Sequence, residues 1–188
     1  MQLLTDQEIE YLHRRYAKNE AEFKLVYTHC QVIWALAQQL ISQRNLAVDT
    51  RLVKLGALLH DIGVYGLDVE EAYIRHGIIG YQLLRHEGLS EAICRFASHH
   101  TGMGLTKQEI IDTNLPLPPV DYLAESPEEG LVMYADKFHS KSKPTSFNKV
   151  STIKAHLARF GADKVHQFET FTARFGLPNL PELEHLIT

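Results

Sequence analysis

Cysteine is nearly absent. The 188 residues contain two, Cys30 and Cys94, each set among apolar neighbours. Thiols placed that way read as reduced core side chains rather than a disulfide framework, and a structural thiolate zinc site is not expected. No apolar run approaches the ~20 residues that a membrane-spanning helix needs, and the N-terminus carries no signal-peptide pattern. The expectation is a cytoplasmic protein without a membrane partner. There is no long basic run, and the net charge is −4. Nucleic acid, whose affinity for proteins comes largely from its phosphate backbone, is therefore not an expected partner. No repeat, linker or convincing strand pattern is visible.

With those classes set aside, the chain reads as an ordinary globular domain, 45% hydrophobic and 22% charged, and long enough for a real core. The pattern throughout is helical. Thr5 with Glu8 forms a capping-box start for a helix to about Lys18. A longer helix follows from about Ala21 to Ser42. Its stripe of Phe23, Val26, Tyr27, Cys30, Ile33, Trp34, Ala37, Leu40 and Ile41 is spaced by threes and fours. Asp49 caps the next helix, which carries Leu52 to Leu59 into His60, and Gly56 leaves room there for another backbone. A glycine-punctuated segment, Gly63 to Asp68, precedes a helix over roughly Glu70 to His86.

Ser90 opens the helix that delivers Ile93, Phe96 and Ala97 to His99-His100. Thr106 with Glu109 is a second capping box. The prolines at 116, 118 and 119 make Asp112 to Glu125 a long loop, either a cover over a site or a surface connection. Ser126-Pro127-Glu128-Glu129 is a strong helix start, and the helix after it presents Val132, Ala135 and Asp136 on one face. From Ser146 onward two or three amphipathic helices are expected, broken at Gly161 and Gly176-Leu177-Pro178. The reading is one all-α domain over 1–188, with a core over about 21–143 and a C-terminal helical extension over about 146–188.

Histidine is what stands out, with eleven in the chain. His29, His60, His76, His99 and His100 lie on or at the ends of apolar helical faces. So do the carboxylates Asp61 and Asp136, which are costly there unless paired or bound to a cation. Imidazole nitrogen with carboxylate oxygen suits Zn²⁺, Fe, Mn²⁺, Co²⁺ or Ni²⁺. One helical histidine alone is more often an ordinary core or surface residue. The informative signal is the order: His, His-Asp, His, His-His, Asp, each on its own helix. His13, His86, His156, His166 and His185 have no partners at ligand spacing and read as surface or structural.

This order resembles the signature of the HD superfamily of metal-dependent phosphohydrolases, His…His-Asp…Asp, and His60-Asp61-Ile62-Gly63 matches its HDIG form. The resemblance spans about Phe23 to Lys141. It implies an all-helical bundle that hydrolyses phosphoester or phosphoanhydride bonds, with a small phosphorylated substrate, usually a nucleotide. His29, His60, Asp61 and Asp136 resemble the ligands of one divalent metal. His76, His99 and His100 resemble the extra histidines of binuclear members, with Asp61 as the bridge.

Two such ions about 3.5–4 Å apart share a water and aim it at phosphorus. His60 and Asp61 are then the catalytic pair. The arrangement is similar to HD-type diadenosine tetraphosphate hydrolases and, less closely, to HD-GYP phosphodiesterases. The run His99-His100-Thr101-Gly102-Met103 lacks the acidic residue and Gly-Tyr-Pro of the latter, and Val64 stands where a lysine commonly follows HDIG. Lys137, His139 and Lys141 trail the last aspartate. Lys137 and Lys141 share a helical face at i, i+4 and either bind phosphate or form a solvated face. Arg75 is a weaker candidate of the same kind. The rival function is a non-catalytic HD module that binds metal or nucleotide, and a homodimer is left open.

Overall fold

The structure is a computed structural model that describes residues 4–142 and 145–187. It is all-α, and the helices begin where local chemistry says they should. The α1 helix (Asp6–Tyr16) starts at Thr5 with both capping-box bonds to Glu8 made. The long α2 helix (Glu20–Arg44) is capped by Asn19 and ends on Asn45, which is left-handed at φ 48°, a conformation asparagine tolerates better than most residues. Asp49 caps α3 (Thr50–Leu59) through the Arg51 and Leu52 amides.

A 3₁₀ turn (Ile62–Gly66) follows the His-Asp pair. The helix expected from Glu70 begins later: Tyr73–Arg75 is a separate 3₁₀ turn, and α4 proper is His76–His86. Next come α5 (Glu91–Ser98), the short capping-box helix α6 (Lys107–Asp112) and α7 (Pro127–Asp136), where Ser126 accepts from the Glu129 amide. The C-terminal part holds α8 (Val150–Leu157), α9 (Ala162–Phe175) and a 3₁₀ turn over Leu180–Leu186. The expected core boundary near residue 143 falls outside the described residues.

One element was not expected. A two-residue antiparallel ribbon pairs β1 (His139–Ser140) with β2 (Ser146–Phe147), His139 standing opposite Phe147.

Two buried clusters hold the helices together. One gathers Val26, Cys30, Leu55, Leu58, Leu59, Ile62 and Leu84, from α2, α3, the first 3₁₀ turn and α4. The other joins Ile33, Leu36 and Leu40 of α2 to Leu131–Ala135 of α7 and to Phe168 and Phe175 of α9. Cys30 and Cys94 are buried free thiols. No described helix is long and apolar enough to cross a membrane.

Close approaches fix the parts around His60-Asp61. At Gly63 a Cβ would lie 1.9 Å from the His76 carbonyl oxygen and 2.2 Å from the Gly80 nitrogen. Only glycine lets the turn after Asp61 lie directly against α4. Gly56 also accommodates a close neighbour, but it is the Phe96 ring, 2.2 Å from where a Cβ would stand, and not a backbone as expected.

A part-buried ion pair and several hydrogen bonds lock further joints. Arg95 of α5 holds Glu129 of α7 with two bonds, 2.8 and 3.2 Å, and also reaches the Leu123 carbonyl. His13 is structural: its Nε2 donates to the Leu58 carbonyl at 2.7 Å and its Nδ1 accepts from Tyr65 at 2.9 Å. The proline-bearing loop 112–125 is pinned by mutual bonds between Leu105 and Tyr122.

Candidate metal centre

Six elements aim side chains at one point between α2 and α4. His29 projects from the middle of α2 and is 1% exposed. His60 is the C-cap of α3, and Asp61 follows in the turn, both fully buried. His76 opens α4, and His100 lies just past the end of α5. Asp136 is the last residue of α7.

The distances divide these residues into two groups that share Asp61. In the first, His29 Nε2 lies 3.2 Å from His60 Nε2, 3.2 Å from Asp61 Oδ2 and 3.1 Å from Asp136 Oδ1. His60 Nε2 is 3.6 Å from each of the same two carboxylate oxygens. In the second, Asp61 Oδ1 lies 3.3 Å from His76 Nε2 and 3.5 Å from His100 Nε2, which are 3.0 Å from each other. His29, His60 and Asp61 form one set able to hold a metal ion, and Asp61, His76 and His100 form another.

The protons show why a cation fits. His60 Nδ1 donates to the Ala57 carbonyl (2.8 Å), His76 Nδ1 to Tyr73 (2.6 Å) and His100 Nδ1 to Phe96 (3.0 Å). A neutral imidazole with its proton on Nδ1 turns a bare lone pair inward on Nε2. Facing lone pairs repel unless a positive ion lies among them. Asp61 Oδ1 is also buried with no hydrogen-bond partner among the described residues, a costly state for a carboxylate oxygen.

The electrostatics favour neutral His76 and His100 and charged carboxylates. Burial pushes His76 down to about 4 and lowers His100. Burial works to raise Asp61, but Lys141, His60, His100 and His29 together hold it well below the usual carboxylate range. At Asp136, burial is likewise outweighed, by Lys137, His29 and His60. Metal binding requires these protonation states.

Several expected roles change. His99 does not join its neighbour: Ser98 Oγ is 2.6 Å from its Nδ1, its ring lies beside Tyr122, and burial followed by Arg95 lowers its pKa. The second group therefore has two histidines, not three. His139 is no surface phosphate ligand; it is buried, with Nδ1 2.7 Å from His29 Nδ1. Arg75 bonds Glu71 and the Pro116 carbonyl, fastening the proline loop.

Lys137 and Lys141 do not share a helical face, because α7 stops at Asp136. Instead Lys137 Nζ lies 2.8 Å from Asp136 Oδ2, and Lys141 Nζ contacts Asp61 Oδ2. Lys141 stays charged: burial opposes its proton, but Asp61 more than compensates. Tyr73 escaped notice in the sequence. Its carbonyl fixes His76, its ring lies 4.6 Å from that imidazole, and Lys141 sits over the ring. Its position three residues before His76 was the available signal. A cavity of about 430 Å³ opens beside Asp136 and Lys137, lined also by Ser140, Asn148, Thr152 and His156.

The HD domain family model matches residues 26–141, most of the chain and the whole of this cluster. The chain belongs to the HD domain family. It is 37% identical over 142 residues to an uncharacterized protein of Methanocaldococcus jannaschii, MJ0778, covering 72% of this chain and 78% of that one. It is 30% identical to a tRNA (cytidine(56)-2'-O)-methyltransferase of Picrophilus torridus, over 80% of this chain. A protein of the same name from Thermoplasma volcanium is 32% identical over 65% of this chain.

The chain spans only 43% and 34% of those two methyltransferases. In three dimensions it is similar to the HD domain of the L. monocytogenes phosphodiesterase PgpH in complex with cyclic-di-AMP. The TM-score is 0.52 at 12% identity, over 89% of this chain and 97% of that one. Family membership and the paired His/Asp clusters support a protein of the metal-dependent phosphohydrolase kind.

Proposed function

We propose that this HD protein hydrolyses a phosphoester or phosphoanhydride bond of a small nucleotide or related phosphorylated metabolite, using two divalent transition-metal ions. The observation that carries the reading is the Asp61 carboxylate. Each of its oxygens faces a different imidazole group, Oδ2 toward His29 and His60 and Oδ1 toward His76 and His100. In this reading Asp136 completes the first set, and Asp61 bridges the two.

Bound metal supplies Lewis-acid activation of water and neutralises charge gathering on phosphoryl oxygens. The chain's own groups do the rest. His60, His76 and His100 are held by main-chain bonds and His29 by the His139 side chain, while Asp61 and Asp136 stand at the ends of α3 and α7. Lys141 exchanges its Asp61 contact for a phosphoryl oxygen, and Lys137 offers a second ammonium beside Asp136. The cavity next to Asp136 takes the leaving group, with Ser140, Asn148 and Thr152 offering hydroxyl and amide partners.

PgpH, a phosphodiesterase with cyclic-di-AMP in its HD domain, supports a nucleotide as the substrate class. The methyltransferase name belongs to chains more than twice the matched length, and methyl transfer would give the buried Asp61 and its four imidazoles no task.

The test is a screen of nucleotides, dinucleoside polyphosphates, cyclic nucleotides and aryl phosphate esters with Mn²⁺, Co²⁺, Fe²⁺ and Ni²⁺ in turn. Hydrolysis by the native chain and none by Asp61→Ala is expected. Metal uptake without turnover of any substrate would favour the non-catalytic binding module.

A further inference from the structure

The four inward-facing imidazoles solve the same problem in two ways. Each must keep its Nδ1 proton bonded so that Nε2 presents a lone pair. His60, His76 and His100 do this locally. All three lie at helix ends, and each uses a carbonyl three or four residues earlier. The Ala57 and Phe96 carbonyls lie in the last turns of α3 and α5, where a helix leaves carbonyls without partners, and the Tyr73 carbonyl belongs to the 3₁₀ turn before α4, where it also accepts the His76 amide.

His29 has no such option. It sits mid-way along α2, where helix bonds occupy the neighbouring carbonyls. The partner of its Nδ1 is instead His139 Nδ1, at 2.7 Å and 110 residues further along.

We propose that His139 is a positioning residue of this centre: its Nδ1 accepts the His29 proton and so aims His29 Nε2 at Asp61 and Asp136. The proposal rests on reading those residues as metal ligands. Three observations support it. His139 is buried, and its ring lies 5.0 Å from that of His29, near parallel at 24°. The β1–β2 ribbon fixes it, with Phe147 opposite and their rings 5.6 Å apart.

The other nitrogen, His139 Nε2, is buried with no hydrogen-bond partner among the described residues. If Nδ1 accepts, Nε2 must carry the proton, and that buried N–H goes unpaired. An imidazole retained only for stability would not leave a donor unsatisfied. A carboxylate would be the commoner partner for a ligand histidine. Here it would add a third negative charge beside Asp61 and Asp136, whereas a neutral imidazole sets the direction without adding charge.

The experiment compares the full-length protein with His139→Asn and His139→Phe. Asparagine places a carbonyl oxygen near the former Nδ1, and phenylalanine fills the space without an acceptor. Competition of Co²⁺ and Mn²⁺ against a chelator should show the phenylalanine variant binding one ion about 10-fold or more weaker, with asparagine restoring most of the loss. Nitrogen-15 NMR of the metal-free native protein should find the His29 proton on Nδ1. Melting of metal-free His139→Phe should be unchanged or higher, since an unpaired donor is gone.

Native-like affinity in His139→Phe, or equal weakness in both variants, overturns the proposal. So does a His29 proton on Nε2 in the metal-free protein. If the native protein takes up neither ion, it is the metal reading that fails, and the NMR result still decides the His29–His139 bond.

Discussion

His76 Nε2 lies 3.0 Å from His100 Nε2, while each ring spends its Nδ1 proton on a main-chain carbonyl. Two imidazole lone pairs held that close are explained by a shared cation. His99, next in sequence, is bonded to Ser98 and lies against Tyr122 instead. Changing His100 to Ala should therefore lower bound metal by about one ion per chain. Changing His99 to Ala should leave the metal content as it is. Metal analysis after gel filtration checks both; equal losses would place the second ion differently.

Asp61 serves both groups, so its loss should be felt by both. Asp61→Ala is expected to bind neither ion and to hydrolyse nothing that the native protein hydrolyses. Its far-ultraviolet circular dichroism should stay helical, because the surrounding helices are capped and packed independently of that carboxylate. Retained turnover would put the chemistry elsewhere.

Gly63 tests the packing that brings Asp61 to His76. An alanine there must push a Cβ into the His76 carbonyl and the Gly80 amide, at 1.9 and 2.2 Å. Both are backbone and cannot step aside. Urea denaturation should show Gly63→Ala destabilised by more than about 3 kcal/mol, the upper end for overpacking. Gly88, at φ 76° with open space around it, should cost only the ~1–2 kcal/mol of a left-handed alanine.

Acid should destabilise the fold through its buried histidines, and His13 is the cleanest case. Burial, partly offset by its bond to Leu58, holds His13 down to about 4 against an ordinary 6.5. The unfolded chain then binds the proton first, so stability is full above pH 6.5 and falls as pH drops toward 4. That difference corresponds to about 3 kcal/mol. Denaturation of metal-free protein at pH 7 and pH 4.5 should show the fall, and His13→Gln should show a smaller one.

The sequence made the helix starts visible because capping is local. Thr5, Asp49, Thr106 and Ser126 each bond an amide two or three residues ahead, and all four helices begin there. His29, His60, His76 and Asp136 were legible from their places on apolar faces and from their order. His99 and His100 could not be told apart, because α5 ends at Ser98. Beyond a helix end, the directions of two adjacent side chains depend on cap dihedrals that no periodicity encodes.

A helix end also removes the face that Lys137 and Lys141 would share. An i, i+4 face needs a continuing helix, and the chain turns after Asp136 into a ribbon. That ribbon has two residues per strand, too few to show alternation, so burial of His139 left no trace in the pattern. Arg75 looked free to meet phosphate because its partners, Glu71 and the Pro116 carbonyl, include one 41 residues away.

The most direct test of the two-site centre is the metal content of native protein purified without chelator. The expectation is between one and two transition-metal ions per chain, falling toward zero in Asp61→Ala. A content below about a tenth of an ion per chain, unchanged by that substitution, would contradict it.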